Sequence, residues 1–289
     1  MGQFIACLNG KFIPAKELKL SSKNRSFKYG DGVFETIRVV EGRICFFNAH
    51  FERILKGLSF LEIETKGLNK DYLLQIVNQL LKENDITKGA RLRIHFWRSE
   101  GGFYAPTHND LNWLAEVEPL AQNFYQFNEE GFQIDIYDGL QKPINALSNI
   151  KSANALLYIK AGLEKNKRKL DELLLLNEKG FLAEGISSNL FLVVGESIMT
   201  PSLQQGCLEG VMRKQIINLA QYKNIRVVEG AIDREILFRA DELFFTNTIT
   251  GIRWAKAYRN KRFFNKTSKS LNETLNQLLL SSLMDFQEN

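Results

Sequence analysis

Lys151 sits in the run Asn149-Ile150-Lys151-Ser152-Ala153-Asn154, at the expected junction of a loop and a helix. A lysine amine forms imines with carbonyls and, as the free base, carries a proton, provided its neighbours lower its proton affinity. By position alone Lys151 is one lysine among many. Glu184 opens the run Glu184-Gly185-Ile186-Ser187-Ser188-Asn189-Leu190-Phe191, a carboxylate beside a glycine turn at a strand start. Arg53 closes His50-Phe51-Glu52-Arg53 at the opening of a helix. A guanidinium grips phosphate oxygens through a planar, two-pronged contact, although spacing alone suits a surface helix residue equally well. In Tyr29-Gly30-Asp31-Gly32-Val33-Phe34-Glu35-Thr36-Ile37-Arg38, Gly30 and Gly32 allow the positive φ of a tight turn, as an ordinary hairpin also requires.

These residues need elements to hold them. Phe4 to Leu8 and Gly32 to Val40 carry β-branched and aromatic residues around the turns Asn9-Gly10 and Glu41-Gly42, which suits antiparallel hairpins. Apolar positions recur at helical spacing over residues 48–62 and 70–84, as in Leu73, Ile76, Val77, Leu80 and Leu81. Ala90 to Trp97 alternates, which predicts a strand with Arg91 and Arg93 on one face and Leu92 and Ile94 on the other. Residues 110–118 predict a further strand. The polar stretch within 121–128 reads as a linker, between a small α/β domain over 1–120 and a larger α/β domain over 129–289. In the latter, strands are expected near 132–138, 172–177, 189–194, 225–229 and 242–246, and helices near 152–166, 210–223, 233–239 and 268–285.

Composition narrows the class. The chain has 289 residues, 38 basic against 33 acidic, with a net charge of +5. The densest basic run, Lys165-Asn166-Lys167-Arg168-Lys169, falls at an expected helix end, where the dipole favours cations, so it is not read as a nucleic-acid stripe. No apolar stretch approaches the roughly 20 residues of a membrane span, and the N-terminus lacks the pattern of a signal peptide. Cys7, Cys45 and Cys207 show no paired or metal-ligand spacing, and three histidines are too few and scattered for a metal centre. A cytoplasmic enzyme without metal, membrane or nucleic-acid partner is the expectation.

Taken together and in this order, the runs around Gly30–Arg38, Arg53, Lys151, Glu184 and Leu208-Glu209-Gly210-Val211-Met212-Arg213 resemble the class IV aminotransferase family across nearly the whole chain. The resemblance implies a two-domain α/β (α+β) fold of PLP fold type IV, with a small N-terminal α/β sandwich and a larger C-terminal domain built on a pseudo-barrel β core. It implies pyridoxal 5'-phosphate as cofactor, lodged in the cleft between the domains, and a homodimer. Lys151 is then the Schiff-base lysine, carried by the large domain, and Glu184 the partner of the pyridine nitrogen. Arg53, the N–H groups of Val211 and Met212, and Thr248 in Thr246-Asn247-Thr248 take the phosphate. Asn189 completes the Glu184 signature.

Within the family the reaction stays open between 4-amino-4-deoxychorismate lyase and amino-acid transaminase. Thr36 stands where branched-chain enzymes usually have glycine, and its hydroxyl suits proton transfer to a leaving group. Arg98-Ser99-Glu100-Gly101-Gly102-Phe103-Tyr104 resembles the lyase loop, with Glu100 departing from it. Asn154 follows Lys151 at the third position, and the tyrosine of branched-chain enzymes is missing. The lyase is placed first, then a branched-chain transaminase, then a D-amino-acid transaminase, and last a PLP-binding protein without turnover. Arg38, Arg91, Arg93 and Arg98 are candidate binders of substrate carboxylates, with Arg38, Arg98 and Tyr104 favoured by motif position and Arg91 and Arg93 equally suited to face solvent.

Overall fold

The alternation along Ala90–Arg98 is realised as the middle of a six-stranded antiparallel sheet in a computed structural model that describes residues 4–284. Residues 1–3, part of the segment read for a signal peptide, and residue 285, the expected end of the last helix, lie outside the described residues. The chain divides into two units, one running to Phe124 and taking in Ile150–Asn154, the other holding the rest.

In the first unit the order of elements is β1 (Ile5–Leu8), β2 (Lys11–Pro14), α1 (Arg25–Tyr29), β3 (Gly32–Val40), β4 (Arg43–Ile44), α2 (Phe47–Phe60), α3 (Lys70–Glu83), β5 (Ala90–Arg98) and β6 (Leu111–Pro119). The strands lie in the order β2-β1-β6-β5-β3-β4. Ile37, Leu92, Ile94 and Phe96 bury one face of the sheet together with Ile54, Leu58, Leu73, Val77 and Leu80 from α2 and α3. The start of α3 is capped by Asn69, whose side-chain oxygen accepts from Tyr72 N at 2.9 Å. The register sets Phe34 opposite His95, Thr36 opposite Arg93 and Arg38 opposite Arg91, so these six share the other face. Gly30 ends α1 at φ +68°, whereas Gly32 has a different reason to lack a side chain: a Cβ there would lie 2.4 Å from Phe96 O.

The segment carrying Lys151 groups with the first unit. Phe34 N donates to Lys151 O at 3.0 Å, Ala153 N donates to Gly32 O at 2.8 Å, and Val33 bridges Ser152. Residues 150–154 thus line the edge of β3 in the first unit, and the helix expected from 152 begins only at Leu156.

The second unit holds β7 (Phe132–Ile136), α4 (Leu156–Lys167), β8 (Glu172–Leu176), β9 (Leu182–Gly185), β10 (Asn189–Val194), β11 (Ser197–Pro201), α5 (Val211–Tyr222), β12 (Arg226–Gly230), β13 (Glu242–Asn247), β14 (Gly251–Tyr258), β15 (Lys261–Arg262) and α6 (Lys266–Met284). A nine-stranded sheet runs β12-β11-β10-β13-β14-β7-β8-β9, with β15 against β14, and curls so that β9 approaches β10. The strands β8, β10 and β13 are buried along almost their whole length, as continuous apolar runs covered on both faces demand. The expected strand set lacked β9, β11, β14 and the short β15, and the helix expected over 233–239 is a single 3-10 stretch at Arg234–Phe238. In β14 the pairing to β7 slips between Ala255 and Ala257, and that bulge breaks the two-residue period by which strands are read. Among the described residues no helix is long and apolar enough to cross a membrane.

Candidate active site

The side chains singled out in the sequence, with their neighbours, fall into two groups, each within one unit. In the first unit they gather around the ring of Phe34. Lys151 Nζ lies 4.4 Å from the ring centroid and Arg93 Cζ 4.1 Å from it, both within cation–π reach. The His95 ring stacks beside it at 6.3 Å and 8°. Thr36 stands on the same face, directly across from Arg93. Burial, and then the Arg93 charge, bring His95 down to about 4, so it is a neutral ring at pH 7; its Nε2 lies 2.7 Å from Ser26 Oγ. Burial and neighbouring Arg91 likewise lower Arg93 from its ordinary value.

Behind this face, on the helix side of the sheet, Glu35 is 1% exposed. His50 and Arg53, one turn apart on α2, both reach it. His50 Nδ1 lies 2.7 Å from Oε2, and Arg53 places Nε on Oε1 and Nη2 on Oε2. Burial alone would raise Glu35; the Arg53 guanidinium and His50 reverse that and bring it to about 2. Burial keeps His50 neutral in turn, and its Nε2 is buried with no hydrogen-bond partner among the described residues.

The arginines favoured from the sequence are occupied differently. Arg38, 4% exposed, donates to the carbonyls of Gln122, Asn123 and Phe124. Arg98, 6% exposed, donates through Nε to Asp31 at 3.0 Å and also holds Asn109 and the carbonyls of Leu61 and Glu62. Both act as clasps on loops. The physical reason is that a buried guanidinium must fill its donors, and nearby carbonyls do so. Tyr104 is 91% exposed and stands 5.7 Å from the Tyr29 ring. Arg91 pairs with Glu118 at 3.1 Å. Arg93 is the arginine that shares the ring of Phe34 with the lysine.

In the second unit Glu184, at the end of β9, is 3% exposed. Its Oε1 accepts from Lys142 Nζ and from Tyr158 Oη, the latter at 2.8 Å, and its Oε2 accepts from Leu208 N at 2.7 Å. Neither Lys142 nor Tyr158 stood out in the sequence; a lysine before Pro143 and a tyrosine inside a helix give no signal of their own.

Asn189 pairs across the sheet with Thr246, and its Nδ2 donates to Leu208 O at 2.8 Å. It therefore braces the turn into α5. At that turn Gly210 precedes the helix with no side-chain cap, which leaves the opening N–H groups, Val211 and Met212 among them, facing outward from the helix start. A Cβ on Gly210 would fall 1.8 Å from Asn189 Oδ1, so a side chain there would displace Asn189 from the turn it braces. Thr246 Oγ1 is buried with no hydrogen-bond partner among the described residues. Thr248, two residues on, gives its carbonyl to Tyr125 Oη at 2.8 Å. An uncapped helix start, a glycine cradle and a buried hydroxyl awaiting an acceptor fit a phosphate group. Thr246 was missed because a strand threonine is ordinarily a packing residue. Asn149 Nδ2 donates to the carbonyls of Leu203 and Cys207 and fixes the same turn.

The family described as Amino-transferase class IV matches residues 32–258. The chain is 34% identical over 248 residues to an aminodeoxychorismate lyase of Bacillus subtilis, covering 85% of this chain and 83% of that one. It is 31% identical over 248 residues to a putative branched-chain-amino-acid aminotransferase of Methanocaldococcus jannaschii, with coverage of 85% and 84%. The branched-chain aminotransferase of Thermoproteus uzoniensis, solved with norvaline, shares the fold with a TM-score of 0.89 at 23% identity, over 97% of this chain and 96% of that one.

Proposed function

The chain belongs to the class IV aminotransferases, and on that footing we propose that it is a pyridoxal-5'-phosphate enzyme that releases pyruvate and 4-aminobenzoate from 4-amino-4-deoxychorismate. When bound, the cofactor supplies an electron sink that acidifies the carbon bearing the substrate amine. Lys151 holds it through Nζ and, as the free base, takes the proton from that carbon. Glu184 faces the ring nitrogen. Arg53, the N–H groups of Val211 and Met212, and the hydroxyls of Thr246 and Thr248 hold the phosphate, while Asn189 fixes the turn beneath it. As the neighbouring C–O bond breaks, Thr36 gives a proton to the departing oxygen. Arg93 receives a substrate carboxylate; Arg38 and Arg98 support the site from a distance, and Tyr104 borders its loop.

The cluster on the Phe34 ring is the observation that carries this reading. An amine for the cofactor and a guanidinium for an anion share one ring, with a hydroxyl opposite the guanidinium. Identity of 34% to a lyase supports the same reaction. A second reading, transamination of a branched-chain amino acid, draws on the 31% identity to a putative aminotransferase. In that case a keto acid leaves in place of pyruvate. Purified protein is assayed for 4-aminobenzoate release and for keto acids from leucine, glutamate and D-alanine. Release of 4-aminobenzoate, lost in Lys151→Ala together with the visible absorption of bound cofactor, supports the lyase. Keto-acid formation alone replaces it with the second reading, and cofactor absorption without turnover leaves a binding protein.

We also propose a cytoplasmic homodimer. The thiols of Cys7, Cys45 and Cys207 are buried and unbridged, in keeping with a reducing compartment. Leu156, Ile159 and Leu163 are exposed at helical spacing on α4, a stripe suited to a second copy.

A further inference from the structure

We infer that Lys142 is a positioning residue: it sets a cation against the buried Glu184 and turns it so that Oε2 retains one acceptor position for the cofactor's ring nitrogen. The inference rests on the reading that Glu184 faces that nitrogen. Lys142 is 2% exposed, and its Nζ donates both to Glu184 Oε1 and to Tyr158 Oη, the latter at 2.7 Å. Tyr158 Oη passes its own proton on to Oε1 at 2.8 Å. A carboxylate offers about four acceptor positions, two on each oxygen. Lys142 and Tyr158 fill those of Oε1, and Leu208 N fills one on Oε2. Among the described residues one position on Oε2 remains.

The charge matters as much as the direction. A carboxylate this deeply buried without a cation takes up a proton, and a protonated acid no longer holds a protonated ring nitrogen by charge. Lys142 supplies the cation from the side away from Oε2. Tyr158 does not: burial, and then the Glu184 charge, push its ionisation far up, so it serves as a neutral donor. The lysine therefore does what the tyrosine beside it does not, and a neutral donor in its place keeps the bond but loses the function.

The test uses full-length protein loaded with pyridoxal phosphate labelled with 15N in the ring. Two quantities are read: cofactor affinity and the ring-nitrogen NMR shift. Lys142→Met and Lys142→Gln are expected to weaken cofactor binding about tenfold or more and to move the nitrogen signal toward the unprotonated form. Glu184→Gln should do the same, and Lys142→Arg should restore both. The double variant Lys142→Met with Glu184→Gln buries no lone charge and should match Glu184→Gln alone. If Lys142→Met fails to fold, Lys142→Gln and the double variant decide. A folded Lys142→Gln with wild-type nitrogen shift and affinity within about twofold overturns the inference, given that Glu184→Gln alters both. If Glu184→Gln itself alters neither, it is the underlying reading of Glu184 that falls.

Discussion

Glu35 takes Arg53 by both oxygens, with Nε on Oε1 at 2.7 Å and Nη2 on Oε2 at 2.6 Å. The carboxylate comes from the buried face of β3 and the guanidinium from α2, so one ion pair locks a strand to a helix and aims the residue proposed to hold phosphate.

Glu35→Gln breaks this buried pair and is expected to cost about 3–5 kcal/mol of unfolding free energy, measured by denaturant titration. The pH dependence has a defined sign. Glu35 sits at about 2 in the folded chain against an ordinary 4.5, so its stabilisation is complete above 4.5 and is lost as pH falls toward 2. The variant should lose that acid limb.

His95 gives a separate pH window. Its folded value of about 4 lies below the ordinary 6.5, so between these the unfolded chain binds more protons and stability falls as the solution is acidified. Melting temperatures recorded across this range should flatten in His95→Gln. An unchanged slope would remove His95 from the account.

Thr246→Val should move two quantities in opposite directions. Removing a buried hydroxyl that lacks a partner among the described residues relieves about 1–3 kcal/mol in the cofactor-free protein, while phosphate loses a donor. The melting temperature without cofactor should hold or rise, and pyridoxal-phosphate affinity should drop. Thr246→Ser should keep that affinity.

Arg93→Gln and Arg38→Gln separate a substrate contact from a clasp. Arg93→Gln should raise KM at little cost in stability. Arg38→Gln should lower stability by about 1–3 kcal/mol, because three main-chain carbonyls lose a buried donor. The reverse pattern would return the carboxylate to Arg38.

The family was legible in the sequence because its motifs lie in short contiguous runs, and helical periodicity located α2 and α3 to within two residues of their ends. What the sequence withheld is where a long polar side chain spends its donors. Arg38, Arg93 and Arg98 look alike as letters, and only the register of β3 with β5 and the loops that Arg38 and Arg98 clasp tell them apart. Lys142 and Thr246 escaped for the same reason. The true start of α4 escaped because residues 151–153 spend their main-chain bonds on a strand edge instead of a helix turn.

That strand edge sets a limit on how the molecule can be taken apart. A cut between Phe124 and Tyr125 leaves Lys151 on the C-terminal fragment, although Phe34 N, which grips its carbonyl, stays on the other. No single break in the backbone yields an N-terminal piece that keeps the amine's own anchor and omits the second module. Either fragment moved into a new protein parts the lysine from the strand that holds its carbonyl.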